Sequence, residues 1–353
     1  MLNSLYEKAI TKRGLVFNVE SSANIENQLE GRWFDRTINK SKLEFSIGAG
    51  DGSFNKKKFL TANFCAVDAE SVIYDGSGIK KIEDCDIFNI PHVSFLRELL
   101  SNYMAIYELK CALRTIKEYD VDYYLFDGSI LGDLDNAYPR GAKQPSQISD
   151  NLNKNFIDDF QKEIEHHKYG FAFTSIRDRF DLSSEDEFKK IEEYNLYLAS
   201  FEKLILLKEL MKYRKKIISI SKSSADNTIF HWNFPDIAFL DLFTRKQGLS
   251  FKKEHEVHKE ATFPFFSEFF KSLNFTIFYL RLEDNKNVFK VELPYKASNE
   301  EIFRIIEMLK VFSVQGYPYL LNMAHNDVVI KDKNMDELLK IAKIYQKTNR
   351  EML

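Results

Sequence analysis

Hydrophobic and polar positions alternate in short runs at the start of the chain's ordered pattern. LEFSIGAGDGSF (43–54) reads as a strand that breaks into a Gly-rich turn at Gly48, Gly50 and Gly52. FLTANFCAV (59–67) and SVIY (71–74) are β-branched and aromatic runs separated by the polar DAE (68–70). The three segments predict consecutive antiparallel strands. Over roughly 92–119 the period changes: Leu96, Leu99, Leu100, Tyr103, Ile106, Tyr107 and Leu113 recur at three- and four-residue spacing, which predicts a long helix. VDYYLFDGS (121–129) follows as a buried strand entering a second Gly turn, and 130–150, with Pro139, Gly141 and Pro145, reads as loop.

Two amphipathic helices are expected near 152–167 and 185–213, then a strand at KIISIS (216–221) and a short helix at PDIAFLDLF (235–243). TFPFFSEFF (262–270) is an aromatic connection, and FTIFYLRL (275–282) with NVFKVEL (287–293) predicts a hairpin. Helices near 299–313, 319–327 and 335–349 close the chain, balancing a short one over 1–12. No internal repeat appears, and no linker cuts the chain. The pattern predicts a mixed α/β fold in one elaborated unit.

Composition narrows the classes. Of 353 residues 44% are hydrophobic and 29% charged, enough for a sizeable core and too ordered in composition for disorder. Fifty Lys+Arg against 53 Asp+Glu leave a net charge of −3, so any nucleic-acid surface must come from local placement of charge. Three cysteines with no CxxC spacing suit a reducing cytoplasm. No run approaches the ~20 apolar residues of a membrane span. The start, MLNSLYEKAITKRG, lacks the apolar stretch of a signal peptide. A cytoplasmic protein without membrane attachment is expected.

The chemistry concentrates where strands end in Asp-Gly-Ser: Asp51-Gly52-Ser53 and Asp127-Gly128-Ser129. In an open α/β sheet such strand ends line the ligand crevice. Two carboxylates on adjacent strands could hold a hard divalent cation through oxygen. Asp-Gly is also a common turn dipeptide, and Asp75-Gly76-Ser77, in a charged hairpin region, reads as an ordinary turn. Glu108 adds geometry. The strand descends about 20 Å from Asp127 to Val121, and the preceding helix climbs about 17 Å from Tyr119 back to Glu108. An antiparallel helix and strand would therefore bring Glu108 level with Asp127. Glu98 would lie about 15 Å further along and is a poorer candidate.

Together GAGDGSF (48–54), YELKCAL (107–113), YYLFDGSIL (123–131), ISISKSS (218–224) and GYPYLLNMAH (316–325) resemble the NurA nuclease family in type and order. These are DNA-end-processing partners of HerA-type hexameric ATPases. The resemblance implies a ribonuclease H-like mixed sheet flanked by helices, with core segments about 43–130 and 216–330. A helical insertion over about 150–215 and a C-terminal helix over about 335–350 would complete one domain spanning 1–353. It implies a metal-dependent deoxyribonuclease using Mn²⁺, with Mg²⁺ as an alternative. The activities expected are 5′ to 3′ exonuclease and single-strand endonuclease, acting on single- and double-stranded DNA ends in resection and recombinational repair. A ring-like homodimer and a HerA-type partner are expected as well.

By the same resemblance Asp51, Glu108 and Asp127 bind the metal, and Tyr317, His325 and Lys222 complete the catalytic set. An additional acidic ligand after Lys222 could be Asp226 or Asp236. Lys222 could hold phosphate, and His325 could protonate the leaving oxygen or contact the phosphate. The basic run Lys212, Arg214, Lys215 and Lys216 is the best compositional candidate for DNA backbone contacts. His255-Glu256-Val257-His258 lacks the i, i+4 histidine spacing of a zincin and reads as a solvated segment. His166-His167 ends a charged helix, favouring its C-terminus electrostatically. Two other classes compete: a catalytically silent DNA-end clamp or ATPase-docking subunit on the same fold, and an actin-like phosphotransferase. The acidic trio argues against the first, and the lack of a late Gly-rich phosphate loop against the second.

Overall fold

The computed structural model describes residues 2–12, 25–41, 44–135, 154–178, 187–257 and 266–344. In chain order the elements are α1 (Leu2–Thr11), α2 (Ile25–Leu29), β1 (Trp33–Asp35), β2 (Ile47–Lys58), β3 (Asn63–Tyr74), β4 (Ile79–Ile90), α3 (Leu96–Tyr119) and β5 (Tyr123–Asp127). Then come α4 (Ile130–Asp135), α5 (Lys154–His166), α6 (Phe173–Arg177), α7 (Glu187–Leu210), a 3₁₀ turn (Met211–Lys216), β6 (Ile217–Ser221), α8 (Asp236–Phe243), β7 (Gly248–Ser250) and β8 (Lys253–Glu256). The last are α9 (Ser267–Lys271), β9 (Asn274–Arg281), β10 (Phe289–Leu293), α10 (Asn299–Val311), β11 (Ser313–Val314), β12 (Tyr317–Pro318), α11 (Tyr319–Val328) and α12 (Asp332–Ile341).

Ten strands form one mixed sheet in the order β1-β7-β9-β10-β6-β5-β2-β3-β4, with β8 pairing β9. β5 runs parallel to both β2 and β6, and the other pairings are antiparallel. Helices cover both faces. α3 and α7 pack on one side, contributing Leu100, Ile106, Tyr107, Phe201 and Leu204 to a core shared with Val67 and Phe126. α10 and α11 pack on the other, where Ile305, Leu309 and Leu321 meet Ala49, Leu125 and Ile220. The alternation along β2 and β5 decides which residue faces which layer, so a mixed α/β architecture with a helix-flanked sheet stands.

Several expected boundaries are corrected. The glycines at 48, 50 and 52 do not turn the chain; β2 runs straight through them to Lys58. They are small because α3 and β5 press against that face. A Cβ on Gly48 would come within 2.6 Å of Thr115, and one on Gly50 within 2.0 Å of the Tyr124 hydroxyl. The segments 59–67 and 71–74 are not two strands but one, β3, because the DAE residues stay paired to β4 through Asp68↔Cys85, Ala69↔Asp84 and Glu70↔Glu83. The third antiparallel strand is β4, joined to β3 across the expected Asp75-Gly76-Ser77 turn.

The start of the 130–150 loop is helical, α4, and the rest lies outside the described residues. His255 lies in β8, paired to Phe275 of β9, rather than in a solvated segment; His258 lies outside the described residues. The histidines closing α5 do meet its last carbonyls: His166 Nδ1 lies 2.6 Å from Lys162 O, and His167 Nδ1 3.0 Å from Glu163 O. No helix among the described residues is long and apolar enough to cross a membrane.

Candidate metal centre

The parallel pairing of β2 and β5 sets Gly50 beside Phe126. One residue further along both strands, Asp51 and Asp127 stand side by side, Asp127 at the carboxyl end of β5 and Asp51 within β2. Both point to the face covered by α11, since their i−2 neighbours Ala49 and Leu125 share that core. Asp127 is also opposite Ile220 of β6, so Lys222, two residues beyond, joins the same row. Gly128, with φ of +140°, lets the chain leave β5 sharply, and its N–H donates to Ile220 O at 2.9 Å.

The side chains converge. His325 on α11 places Nδ1 2.7 Å from Asp51 Oδ2. Ligand atoms of Asp51, Asp127 and His325 all lie within 4.8 Å of one another. Lys222 Nζ sits 2.7 Å from Asp127 Oδ2 and 4.7 Å from the centre of the Tyr317 ring. The Tyr317 hydroxyl donates to the same Asp127 oxygen at 3.5 Å, the long end of a hydrogen bond. Burial, followed by the negative charge of Asp127, raises the Asp51 carboxyl above its ordinary range, against the lowering effects of His325 and the Gly52 N–H. Burial, then Asp127 and Asp51, also holds the Tyr317 phenol well above its ordinary range, so it stays protonated and donates.

Glu108 arrives from the opposite face of the sheet. Its carboxylate lies over Gly52, where an added Cβ would come 2.7 Å from Oε1. Burial first, then the charges of Asp51, Asp133 and Asp127, pushes its carboxyl well above the ordinary range. It stands beside the Asp51–Asp127–His325 cluster rather than within its 4.8 Å circle. Glu98, by contrast, is exposed on the first turn of α3.

Neither later aspartate joins the centre. Asp236 is fully buried and accepts the Ile229 and Phe230 amides at 2.9 and 3.0 Å, capping its own loop. Asp226 lies 3.5 Å from Lys290 on β10. The basic run occupies the 3₁₀ turn at the start of β6, the opposite end of that strand from Lys222. There Lys212 pairs with Glu209, Lys215 with Glu301 at 3.6 Å and Lys216 with Asp120 at 2.6 Å, while Arg214 is exposed.

Glu70 and Glu292 carry structural weight that the sequence reading passed over. Glu70, in register with Asp51, bonds Lys81, which also reaches Asp327 on α11 at 2.8 Å and so ties the histidine-bearing helix to the sheet. The available signal was charge at alternate positions, Lys290 and Glu292, inside an otherwise apolar strand.

Fold and site define an α/β protein with an acidic and imidazole cluster where β5 ends beside the middle of β2 and under α11. Comparison places it more closely. The chain belongs to the NurA family: the NurA domain model matches residues 45–330, a span that contains every residue of the cluster. It is 29% identical to the probable DNA double-strand break repair nuclease NurA of Methanocaldococcus jannaschii over 349 residues, 92% of this chain and 85% of that protein. With the DNA double-strand break repair nuclease NurA of Sulfurisphaera tokodaii it shares 25% over 360 residues, covering 98% and 97%. The crystal structure of the NurA nuclease from Sulfolobus solfataricus shares the fold at a TM-score of 0.75, with 23% identity over 97% of both chains. A NurA crystal structure bound to dAMP and manganese matches at 0.66, with 16% identity over the whole of both chains.

Proposed function

We propose that the chain hydrolyses DNA phosphodiester bonds with a divalent cation held by Asp51, Asp127 and His325, with Glu108 alongside. As a member of this family it is a nuclease, and related proteins are named for double-strand break repair. The observation that carries the metal reading is the convergence of two carboxylates and an imidazole within 4.8 Å. The donor set fits. Carboxylate oxygen and imidazole nitrogen suit Mn²⁺, and also Mg²⁺ through oxygen. Two facing carboxylates, one raised by burial and then by the other's charge, are what a cation relieves. A NurA protein of the same fold was crystallised with manganese and dAMP, which supports Mn²⁺ as the cofactor.

When bound, the metal would activate water and offset charge on the phosphate oxygens. The chain's own groups do the rest. Lys222, half-exposed at the mouth of the site, is placed to hold a phosphate while its ring contact with Tyr317 keeps it aimed. Tyr317, held protonated, donates to Asp127 and fixes that carboxylate's orientation. His325 meets Asp51 through Nδ1, which orients that carboxylate, and its half-exposed ring is open to protonating the leaving oxygen or contacting the phosphate.

The finer reading is 5′ to 3′ exonuclease and single-strand endonuclease action on DNA ends in recombinational repair, by a homodimer working with a HerA-type hexameric ATPase. A ribonuclease H-like core in one domain belongs to the same reading. The order of three antiparallel strands, a helix and two parallel strands supports it. The test is degradation of end-labelled single- and double-stranded DNA with Mn²⁺, Mg²⁺ or EDTA. Metal-independent cleavage would refute the metal reading, and cleavage confined to 3′ ends the polarity.

A further inference from the structure

Glu292 on β10 is fully buried, two strands away from Asp127. It reaches the site's supporting loop across β6, where its cross-strand neighbour is the small Ser219. Its Oε1 accepts the Ser129 hydroxyl at 2.7 Å, and its Oε2 accepts the Leu131 amide at 3.2 Å. Ser129 Oγ in turn accepts the Gly132 amide at 2.9 Å, closing the first turn of α4. Lys290 stands 3.0 Å from Glu292 Oε1 and 3.5 Å from Asp226, on the loop that follows Lys222. One buried pair on β10 therefore grips both loops that carry facing site residues, the turn after Asp127 and the segment after Lys222. Burying two charges is costly, and apolar residues would hold a central strand as well or better. What apolar residues would not do is fix those two loops.

We propose that Glu292 and Lys290 form a clamp that sets the position of Asp127 for metal binding, with Ser129 as the hinge contact. This inference rests on the metal reading of Asp51, Asp127 and His325. None of the three clamp residues touches the substrate; they are positioning residues. Partners that orient metal ligands typically change metal affinity or activity by about 10–100-fold when removed.

The experiment compares the full-length protein with Ser129→Ala, Ser129→Thr, Glu292→Gln and Asp127→Asn, using Mn²⁺ titration calorimetry, single-turnover DNA cleavage and thermal melting. The clamp predicts that Ser129→Ala and Glu292→Gln bind Mn²⁺ about 10-fold or more weakly. Their cleavage should fall in parallel, with little change in the DNA concentration giving half-maximal rate. Excess Mn²⁺ should recover part of the loss. Ser129→Thr, which keeps the hydroxyl, should restore most of the affinity. Wild-type Mn²⁺ affinity in both Ser129→Ala and Glu292→Gln, alongside weakened binding in Asp127→Asn, would overturn the clamp and leave the metal site standing. Unchanged Mn²⁺ binding in Asp127→Asn would overturn both. If Glu292→Gln melts far below wild type, the two Ser129 variants decide the matter.

Discussion

Replacing Gly52 with alanine separates the fold of β2 from the approach of Glu108. The new methyl would sit 2.7 Å from Glu108 Oε1 and 2.8 Å from its Cγ and from Met104 Cγ. These are side-chain atoms that can yield, so the carboxylate would retreat by roughly 0.5–1 Å to reach ordinary contact. The expected destabilisation is about 1–2 kcal/mol, in the lower part of the range for overpacking. The catalytic effect should be larger in proportion, because misplacement by about 1 Å can cost around 100-fold.

Gly50→Ala is the contrasting case. There the methyl would lie 2.0 Å from the Tyr124 hydroxyl, which is buried and bonded to Ser71 at 2.5 Å, and 3.2 Å from the Glu70 carbonyl. Nothing at that position can move freely, so about 3 kcal/mol or more should be lost. Urea unfolding and single-turnover cleavage on both variants make the comparison. A Gly52→Ala protein that cleaves at wild-type rate would refute a functional role for Glu108's close approach. A Gly50→Ala protein as stable as wild type would refute the packing argument.

Glu202→Ala should cost about 3–5 kcal/mol by denaturant unfolding, because it removes the carboxylate paired with buried Lys110, 2.9 Å away, leaving that charge to the His167 and Gly170 carbonyls, and frees the Ala172 and Phe173 amides. The Asp68 carboxyl is raised to about 6 by burial first and then by Glu83 and Glu70. An acid raised in the folded state binds more protons than it does unfolded, so its contribution to stability falls as pH climbs from about 4 to about 6. Asp68→Asn should therefore raise the melting temperature at pH 7 and lose that advantage near pH 4; an equal gain at both would contradict the cause. Asp51, raised likewise, must shed its proton to take a cation, so Mn²⁺ affinity should rise with pH above the ordinary carboxylate range, and pH-independent calorimetry would contradict this.

Local pattern carried the central elements because their periods are undiluted. Leu96 to Ile116 repeat as a helix, and YYLFD as a buried strand, and both stand in the structure. β4 was missed because IKKIEDCDIFNI is an edge strand whose outward positions are charged, so its pairing to β3 is visible only once both strands are laid together. Gly48, Gly50 and Gly52 suggest a turn because a strand glycine and a turn glycine look alike in sequence. What distinguishes them is Tyr124 and Glu108 packed overhead, contacts across about 55–75 residues of chain.

A still longer separation hides Glu292's bond to Ser129, 163 residues apart. Asp127 is legible from its strand end and Glu108 from helix rise, whereas Asp51 sits within β2 and is marked only by its Asp-Gly-Ser sequence. The hydrogen bond from His325 to Asp51 depends on how α11 lies across β2, which no spacing encodes.

Asp51→Asn tests the central claim most directly, since it keeps the side chain's shape and removes one negative oxygen from the cluster. The measurement is single-turnover cleavage of end-labelled DNA by wild type and variant in Mn²⁺, with DNA affinity measured on the same samples. The account predicts cleavage lower by several orders of magnitude, on the scale of losing a group essential to the chemistry. DNA affinity should be held or raised, because a carboxylate facing phosphates is gone. Full-rate, EDTA-sensitive cleavage by Asp51→Asn would contradict it.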